Sequence, residues 1–153
     1  MVKSKGRLSI KFVADTLLKR NLITKDQLRE LQLHGEAQRA RLKKARDSAP
    51  GSKVSHLDDS ISAPEVIASC EMDIPGKRGR VLTEDAITEA IADEVGLTYL
   101  KIDPLKLDMD MVTSYIPQPF ARRHLVVPVA EKRGLVTVAV ADPFELGAVE
   151  ELQ

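Results

Sequence analysis

The residues that most often carry enzyme chemistry stand apart from one another in this sequence. His34, His56 and His124 are isolated, and none belongs to a His-Glu-x-x-His frame that would place two imidazoles on one helix face. Asp108 and Asp110 lie two positions apart before a predicted helix, where carboxylates act as N-caps. We therefore predict no catalytic residue and no metal site.

Glycine and cysteine give no better candidate for catalysis. The segment Gly76-Lys77-Arg78-Gly79-Arg80 lacks the G-x-x-x-x-G-K-[ST] frame whose backbone cradles phosphates, so we expect no ATP binding or hydrolysis of the P-loop kind, and no cofactor. Cys70 is the sole cysteine, which excludes an intrachain disulfide and a cysteine zinc site. We expect it to be a small buried apolar side chain.

The compact basic cluster of the C-terminal half is Arg122-Arg123-His124. Two interpretations stay open, a solvated helix face or a contact with an anion or an acidic partner. We name Arg122 and Arg123 as the candidate partner-contact residues.

Composition excludes several classes of function. Only 3% of the 153 residues are aromatic, so a stacking platform for bases or sugars is not expected. No apolar run reaches the roughly 18 residues of a membrane span, and the basic N-terminus is not followed by the apolar region of a signal peptide. We predict a cytoplasmic protein.

Charge divides the chain into two halves. Residues 1–54 carry 14 Lys and Arg against 5 Asp and Glu, whereas residues 55–153 carry 9 against 18. Such asymmetry indicates two modules with different surroundings, or a basic arm that meets an acidic partner, a membrane surface or nucleic acid. The basic residues show no recognition-helix pattern and no interleaved aromatics, so we expect no nucleic-acid binding.

The sequence divides into three parts. Residues 1–46 form a helical module with a basic extension, in which an apolar stripe predicts one helix and Thr24-Lys25-Asp26-Gln27 is the capping box of a second. Residues 47–80, rich in Ser, Pro, Gly and Asp, are predicted to be a largely irregular linker.

Residues 81–153 show an αβααββα pattern. Thr83 caps a helix that Gly96 ends, and residues 98–102 alternate like a strand. Two β-branched runs, 125–130 and 135–141, flank Glu131-Lys132-Arg133-Gly134 and predict a β-hairpin. Asp142-Pro143-Phe144-Glu145 is a further helix start close to Gln153, so we expect the chain to be a piece of a longer protein. The predicted fold class is α+β, a helical module joined by a flexible linker to a small αβααββα domain.

An internal echo links the two modules. Leu22-Ile23-Thr24-Lys25-Asp26-Gln27-Leu28 resembles Val81-Leu82-Thr83-Glu84-Asp85-Ala86-Ile87, with two apolar residues before a threonine cap in each. A true repeat and a chance likeness of two capped helices remain equally open.

The C-terminal pattern resembles a known family. The segment resembles the N-terminal domain of the type II secretion ATPase (general secretory pathway protein E) and its type IV pilus assembly relatives. The residues that carry the resemblance are 82–103, Ile116-Pro117, Phe120 to His124, Val127 to Val129 and Leu135 to Pro143. The resemblance implies a non-catalytic docking domain that precedes a homo-hexameric motor. It further implies a tether to the cytoplasmic domain of an inner-membrane platform protein.

The first module resembles the MshE-type N-terminal domain, whose repeated motifs bind cyclic diguanylate. Leu17-Leu18, Leu22-Ile23-Thr24 and Gln27-Leu28 match its frame. Phe12-Val13-Ala14 stands where Arg-Leu-Gly is expected, and Gly35 stands where a glutamine is expected. The resemblance therefore implies a degenerate module, with cyclic diguanylate sensing as the alternative function.

Overall fold

The computed structural model describes residues 8–51 and 61–144, and these divide into two compact units. The first comprises Leu8–Tyr99 and the second begins at Leu100. Beyond Phe144, the predicted C-terminal helix lies outside the described residues. The α+β class is confirmed, because helices of both units accompany one antiparallel hairpin.

The helical unit begins with two helices whose caps follow the sequence pattern. Helix α1 spans Ile10–Lys19, and Ser9 Oγ accepts from Phe12 N at 3.1 Å. Helix α2 spans Lys25–Asp47 and begins with the predicted capping box: Thr24 Oγ1 accepts from Gln27 N at 3.2 Å, and Gln27 Oε1 accepts from Thr24 N at 2.7 Å. The capping box satisfies two backbone N–H groups at the start of α2.

Two further helices complete this unit. Helix α3 spans Ala63–Ala68 and is capped by Ser62, and helix α4 spans Glu84–Val95 and is capped by Thr83. Gly96 ends α4 at φ 74°, a left-handed conformation that glycine adopts without steric cost. Helix α1 packs against α2, α3 and α4, and α3 also packs against α2 and α4.

The expected division of the chain differs from this arrangement at two points. Helix α3 lies inside the segment expected to be a linker, yet Ala63, Pro64, Val66 and Ile67 are buried. Helix α4, expected to open the C-terminal domain, packs with α1. A six-residue helix is too short to show a helical period, so its burial leaves little trace in the sequence.

One contiguous core holds the four helices together. Its members are small and branched aliphatic residues contributed by every helix and by the connections, as the low aromatic content requires. They are Ile10, Val13, Ala14, Leu17, Ile23, Leu31, Ile61, Ala63, Val66, Ile67, Met72, Leu82, Ile87, Ala90 and Ile91.

The echo in the sequence corresponds to two equivalent places in this unit. Ile23 and Leu82, which directly precede the threonine caps, are both buried in the shared core. Thr83 Oγ1 accepts from Ala86 N at 3.2 Å, the same bond and distance that Thr24 makes with Gln27 N. The unit thus contains two helix pairs, α1–α2 and α3–α4, which we call the helical hairpins, and the second helix of each begins at a threonine cap.

The second unit is a hairpin with two short helices. A 3₁₀ turn at Pro104–Lys106 precedes helix α5, Met109–Tyr115, and helix α6, Gln118–His124. Strand β1, Val126–Lys132, pairs antiparallel with strand β2, Leu135–Val140. We call this the hairpin unit.

The predicted hairpin is confirmed, with a shorter connection than expected. Only Arg133 and Gly134 stand between the strands, at φ 53° and 76°, which are the two left-handed residues of a type I′ turn. The register shifts between Pro128 and Ala130, so β1 contains a bulge at Val129.

The predicted strand at residues 98–102 is wrong. In the described chain these residues belong to no strand, and Leu100 and Ile102 are exposed. Alternation gives a segment β character, but a strand also needs a neighbouring edge with which to exchange hydrogen bonds.

Candidate partner-contact site

The basic cluster lies in the last turn of α6, where positive charge complements the carbonyl end of the helix. Arg122 and Arg123 are both exposed. Within residues 8–51 and 61–144, no carboxylate forms an ion pair with either guanidinium. Both groups therefore present their hydrogen-bond donors to solvent.

His124 does not share this orientation. Its ring lies 4.4 Å from the Phe120 ring, centroid to centroid, at an interplanar angle of 38°. Phe120 in turn packs against the buried pair Ile116 and Val126. The predicted three-residue cluster is thus divided: His124 is held toward the interior, and the two arginines form its outer part.

Leu125 ends α6 in an unusual backbone conformation. It stands at φ 50° and ψ 53°, and its N–H donates to the Ala121 carbonyl. Its own carbonyl accepts from Ala141 N at 3.1 Å, which ties the helix end to the end of β2. A leucine in the left-handed conformation is strained relative to a glycine. Leu125 is also 47% exposed.

Arg122, Arg123 and Leu125 together form what we call the arginine corner. Guanidinium groups bind carboxylates with two parallel hydrogen bonds, and an exposed leucine beside them can contribute apolar area. This combination suits the recognition of an acidic protein surface. The two arginines are evident in the sequence, whereas the β-branched pattern places Leu125 in the following strand, because a left-handed leucine has no residue-type signal.

The other candidate residues have structural roles or are dispersed. Asp108, rather than Asp110, caps α5, with Oδ1 accepting from Asp110 N at 3.0 Å and Met111 N at 3.2 Å. No group of three His, Cys, Asp or Glu side chains suitable for a metal occurs in the described residues.

Cys70 is half-buried rather than fully buried. Its Sγ donates to the Val66 carbonyl at 3.4 Å, and burial raises the pKa of the thiol. A raised pKa favours the protonated thiol near neutral pH.

A shallow groove of about 270 Å³ runs along α2 beside Cys70 and Met72. Its two glutamines already have partners: Gln27 Nε2 donates to the Asp73 carbonyl at 3.1 Å, and Gln38 Nε2 donates to Ser69 Oγ at 3.1 Å. These two hydrogen bonds join α2 to the end of α3 and to the α3–α4 connection.

Several positions that would carry the cyclic diguanylate motif lie in the core of the helical unit. Val13 and Ala14, at the positions expected to carry Leu and Gly, are fully buried in α1. Gly35 is buried too, and a Cβ added there would lie 3.2 Å from two methyl groups of Ile10. These positions offer helix-to-helix contact and no side-chain donors.

The charge asymmetry of the sequence is partly neutralised between the two helical hairpins. Lys19 Nζ lies 2.7 Å from Glu94 Oε1, and Arg20 lies 3.5 Å from Asp93 and 3.6 Å from Glu94. Arg46 also pairs with Glu65. The hydrogen bond from Lys19 lowers the pKa of the Glu94 carboxyl, with the charge of Arg20 acting in the same direction. The basic first hairpin thus meets an acidic second one.

Comparison with known proteins finds similarity to a known domain in the C-terminal segment. Residues 95–153 match the MshEN domain. A second match is the type IV pilus assembly ATPase TfpB of Acinetobacter baylyi, 33% identical over 67 residues, which is 44% of this chain. The resemblance to N-terminal modules of secretion and pilus ATPases is therefore confirmed.

The MshEN match covers the hairpin unit and the end of α4, not the first module, where we placed the MshE-type resemblance. The aligned stretch spans 12% of the length of TfpB. No solved structure matches this chain. No helix in the described residues is both long and apolar enough to cross a membrane.

Proposed function

We propose that this chain is a non-catalytic docking region that tethers a secretion or pilus ATPase to the cytoplasmic domain of an inner-membrane platform protein. The observation that carries the proposal is the MshEN match over residues 95–153, together with the similarity to a pilus assembly ATPase. A P-loop is missing from the chain, so its contribution to a motor would be attachment rather than hydrolysis.

The arginine corner is the contact that we propose for the platform protein. Arg122 and Arg123 point outward from a helix end that the Phe120 ring and the Ile116–Val126 pair hold in place. A rigid support of this kind lowers the entropy that the arginines lose on binding, since the backbone is already ordered. The partner surface would carry Asp or Glu opposite the corner.

Binding of the purified chain to the cytoplasmic domain of the platform protein from the same genome tests this proposal. Biolayer interferometry should show saturable association, and the double variant R122E/R123E should weaken it at least about tenfold, because charge reversal juxtaposes like charges. The matched control is K132E/R133E, which reverses two exposed cations at the other end of the hairpin and should retain affinity. Equal loss in both variants would indicate non-specific attraction, and no association of the unmodified chain would refute the docking role.

Cyclic diguanylate sensing is the alternative function. Its support is the frame of Leu17-Leu18, Leu22-Ile23-Thr24 and Gln27-Leu28, whereas Phe12, Val13, Ala14 and Gly35 replace its ligand-reading residues. Calorimetric titration with cyclic diguanylate distinguishes the two proposals. Heat that saturates at micromolar ligand would favour sensing. If no heat is seen at high micromolar ligand, docking remains the proposed function.

A docking role implies a larger assembly. The parent protein would be a cytoplasmic, homo-hexameric ATPase that reaches the inner membrane through its partner. The coding sequence beyond Gln153 should then encode a P-loop within a few hundred residues. A stop codon at that point would contradict this part of the proposal and leave the binding test unaffected.

A further inference from the structure

The two edges of the β-hairpin differ in how well they are protected against pairing. Strand β1 contains Pro128, which has no backbone N–H, and the bulge that follows it. It also ends with the charged residues Glu131 and Lys132, both exposed. Proline, a bulge and charge are the features by which natural sheets block their edges.

Strand β2 has none of these features. Its sequence, Leu-Val-Thr-Val-Ala-Val, contains no charge and no proline. Within the described part of the chain, β2 pairs with β1 alone, so its outer row of N–H and C=O groups faces no other strand there. Leu135 at its start is 76% exposed. An open, uncharged, β-branched edge is a template for another strand.

We propose that β2 pairs antiparallel with β2 of a second copy of this chain, about a two-fold axis at Thr137. The two hairpins then form one four-stranded sheet. A two-fold axis perpendicular to the sheet sets each residue on the same face as its symmetry mate, so Thr137 lies opposite Thr137 and Leu135 lies opposite Ala139 of the other copy. Paired threonines can hydrogen-bond across strands, and Leu135 gains an apolar neighbour.

Two observations favour a second copy over an unrelated strand. When a charged strand pairs with a second copy of itself, like charges come together and repel. Strand β2 contains no charged residue, so this repulsion does not arise. The hairpin unit also has a small core, with Ile116 and Val126 as its fully enclosed apolar cluster in the described residues. A two-stranded sheet is marginally stable by itself, and four strands supply the missing ladder. This inference is independent of the docking proposal.

A matched pair of lysine substitutions in the 153-residue chain tests the pairing. Thr137→Lys places two ammonium groups opposite each other across the proposed axis, whereas Ala130→Lys places one on the cross-strand neighbour of Thr137 in β1. Sedimentation velocity over a concentration series should show a monomer–dimer equilibrium for the unmodified chain and for A130K. T137K should raise the dimer dissociation constant at least about tenfold, since like charges directly opposite are destabilising. Circular dichroism checks that both variants stay folded.

Cysteine crosslinking supplies a positive signal for the same register. In a C70A background, Thr137→Cys should form a covalent dimer under mild oxidation, because directly opposite residues bring their Cα atoms within disulfide range. Ala130→Cys in that background should crosslink far less. A monomer at every concentration, or equal crosslinking of the two variants, would overturn the proposal. Protected β2 amides in a monomer would show instead that a segment of the same chain covers the edge.

Discussion

The two units of this protein bury their apolar residues to very different extents. Fifteen buried hydrophobic residues form the cluster of the helical unit, against two in the described part of the hairpin unit. Exposed large apolar side chains show the reverse preference, since Leu105, Met109, Leu125, Leu135 and Phe144 all lie after Leu100. The comparison shows that one unit has a large internal core, while the described part of the other has a small core and many exposed apolar side chains.

The largest expected effect is the unfolding of the helical unit by one buried substitution. Ile87 is fully buried, so Ile87→Asp would enclose an unpaired carboxylate and should lower the free energy of unfolding by about 4 kcal/mol or more. The sequence pattern assigns this helix to the C-terminal domain, but α4 packs with α1 and α3, so the helical unit should unfold. Urea titration followed by circular dichroism measures the loss. Glu89→Asp, which puts the same residue type at an exposed site of α4, is the control.

A smaller change should break the hairpin unit selectively. Ile116→Ala removes three carbons from a two-residue core and should cost about 2–4 kcal/mol, which a unit of this size can hardly sustain. Amide NMR spectra should lose the dispersed signals of residues 109–140 while those of α1 to α4 persist. Leu135→Ala, at a largely exposed site, should leave both sets unchanged. Uniform loss across the chain would show that the two units fold as one.

Leu125→Gly should separate stability from binding. Glycine adopts the left-handed conformation without strain, so we expect a gain of about 0.5–1 kcal/mol in the hairpin unit. The same change removes the exposed side chain from the arginine corner, so affinity for the platform domain should fall. Thermal melting and biolayer interferometry measure the two effects. Lower stability would indicate that Leu125 serves the hairpin core instead.

The smallest effect concerns the ion pairs between the helical hairpins. The pKa of Glu94 is lowered in the folded state, so its contribution is present above the unfolded pKa and is lost as pH falls through the folded pKa. Melting temperatures should therefore show a slightly weaker decrease between about pH 5 and pH 3 in Glu94→Gln than in the unmodified chain. Identical pH profiles would assign no stability to Lys19–Glu94, the usual result for an exposed pair.

Local signals in the sequence predicted the parts of the fold that local interactions determine. The capping box at Thr24, the cap at Thr83 and the β-hairpin are each specified by residues within a few positions, and the structure contains all three. Arg122 and Arg123 could likewise be named as a basic cluster in sequence. Their role as partner contacts remains a prediction, since charge and exposure alone do not identify a partner.

Features that depend on distant residues could not be predicted. Helix α3 is buried because three other helices surround it, and residues 98–102 are not a strand because no edge pairs with them in the described chain. The conformation of Leu125 follows from the hydrogen bonds that join its backbone to Ala121 and Ala141. Burial of α3 and the absence of a strand at residues 98–102 thus depend on tertiary contacts.

The bulge after Pro128 limits how far such a sheet can extend. Pairing through β2 uses the open strand of each copy, and the outer strands of the resulting sheet are then the two β1 strands, each interrupted at Val129. Further copies meet an edge that has lost a hydrogen-bond donor at Pro128 and carries charge at Glu131 and Lys132. Under the proposed pairing the sheet should therefore stop at two copies, and concentrated solutions should contain dimers rather than fibrils.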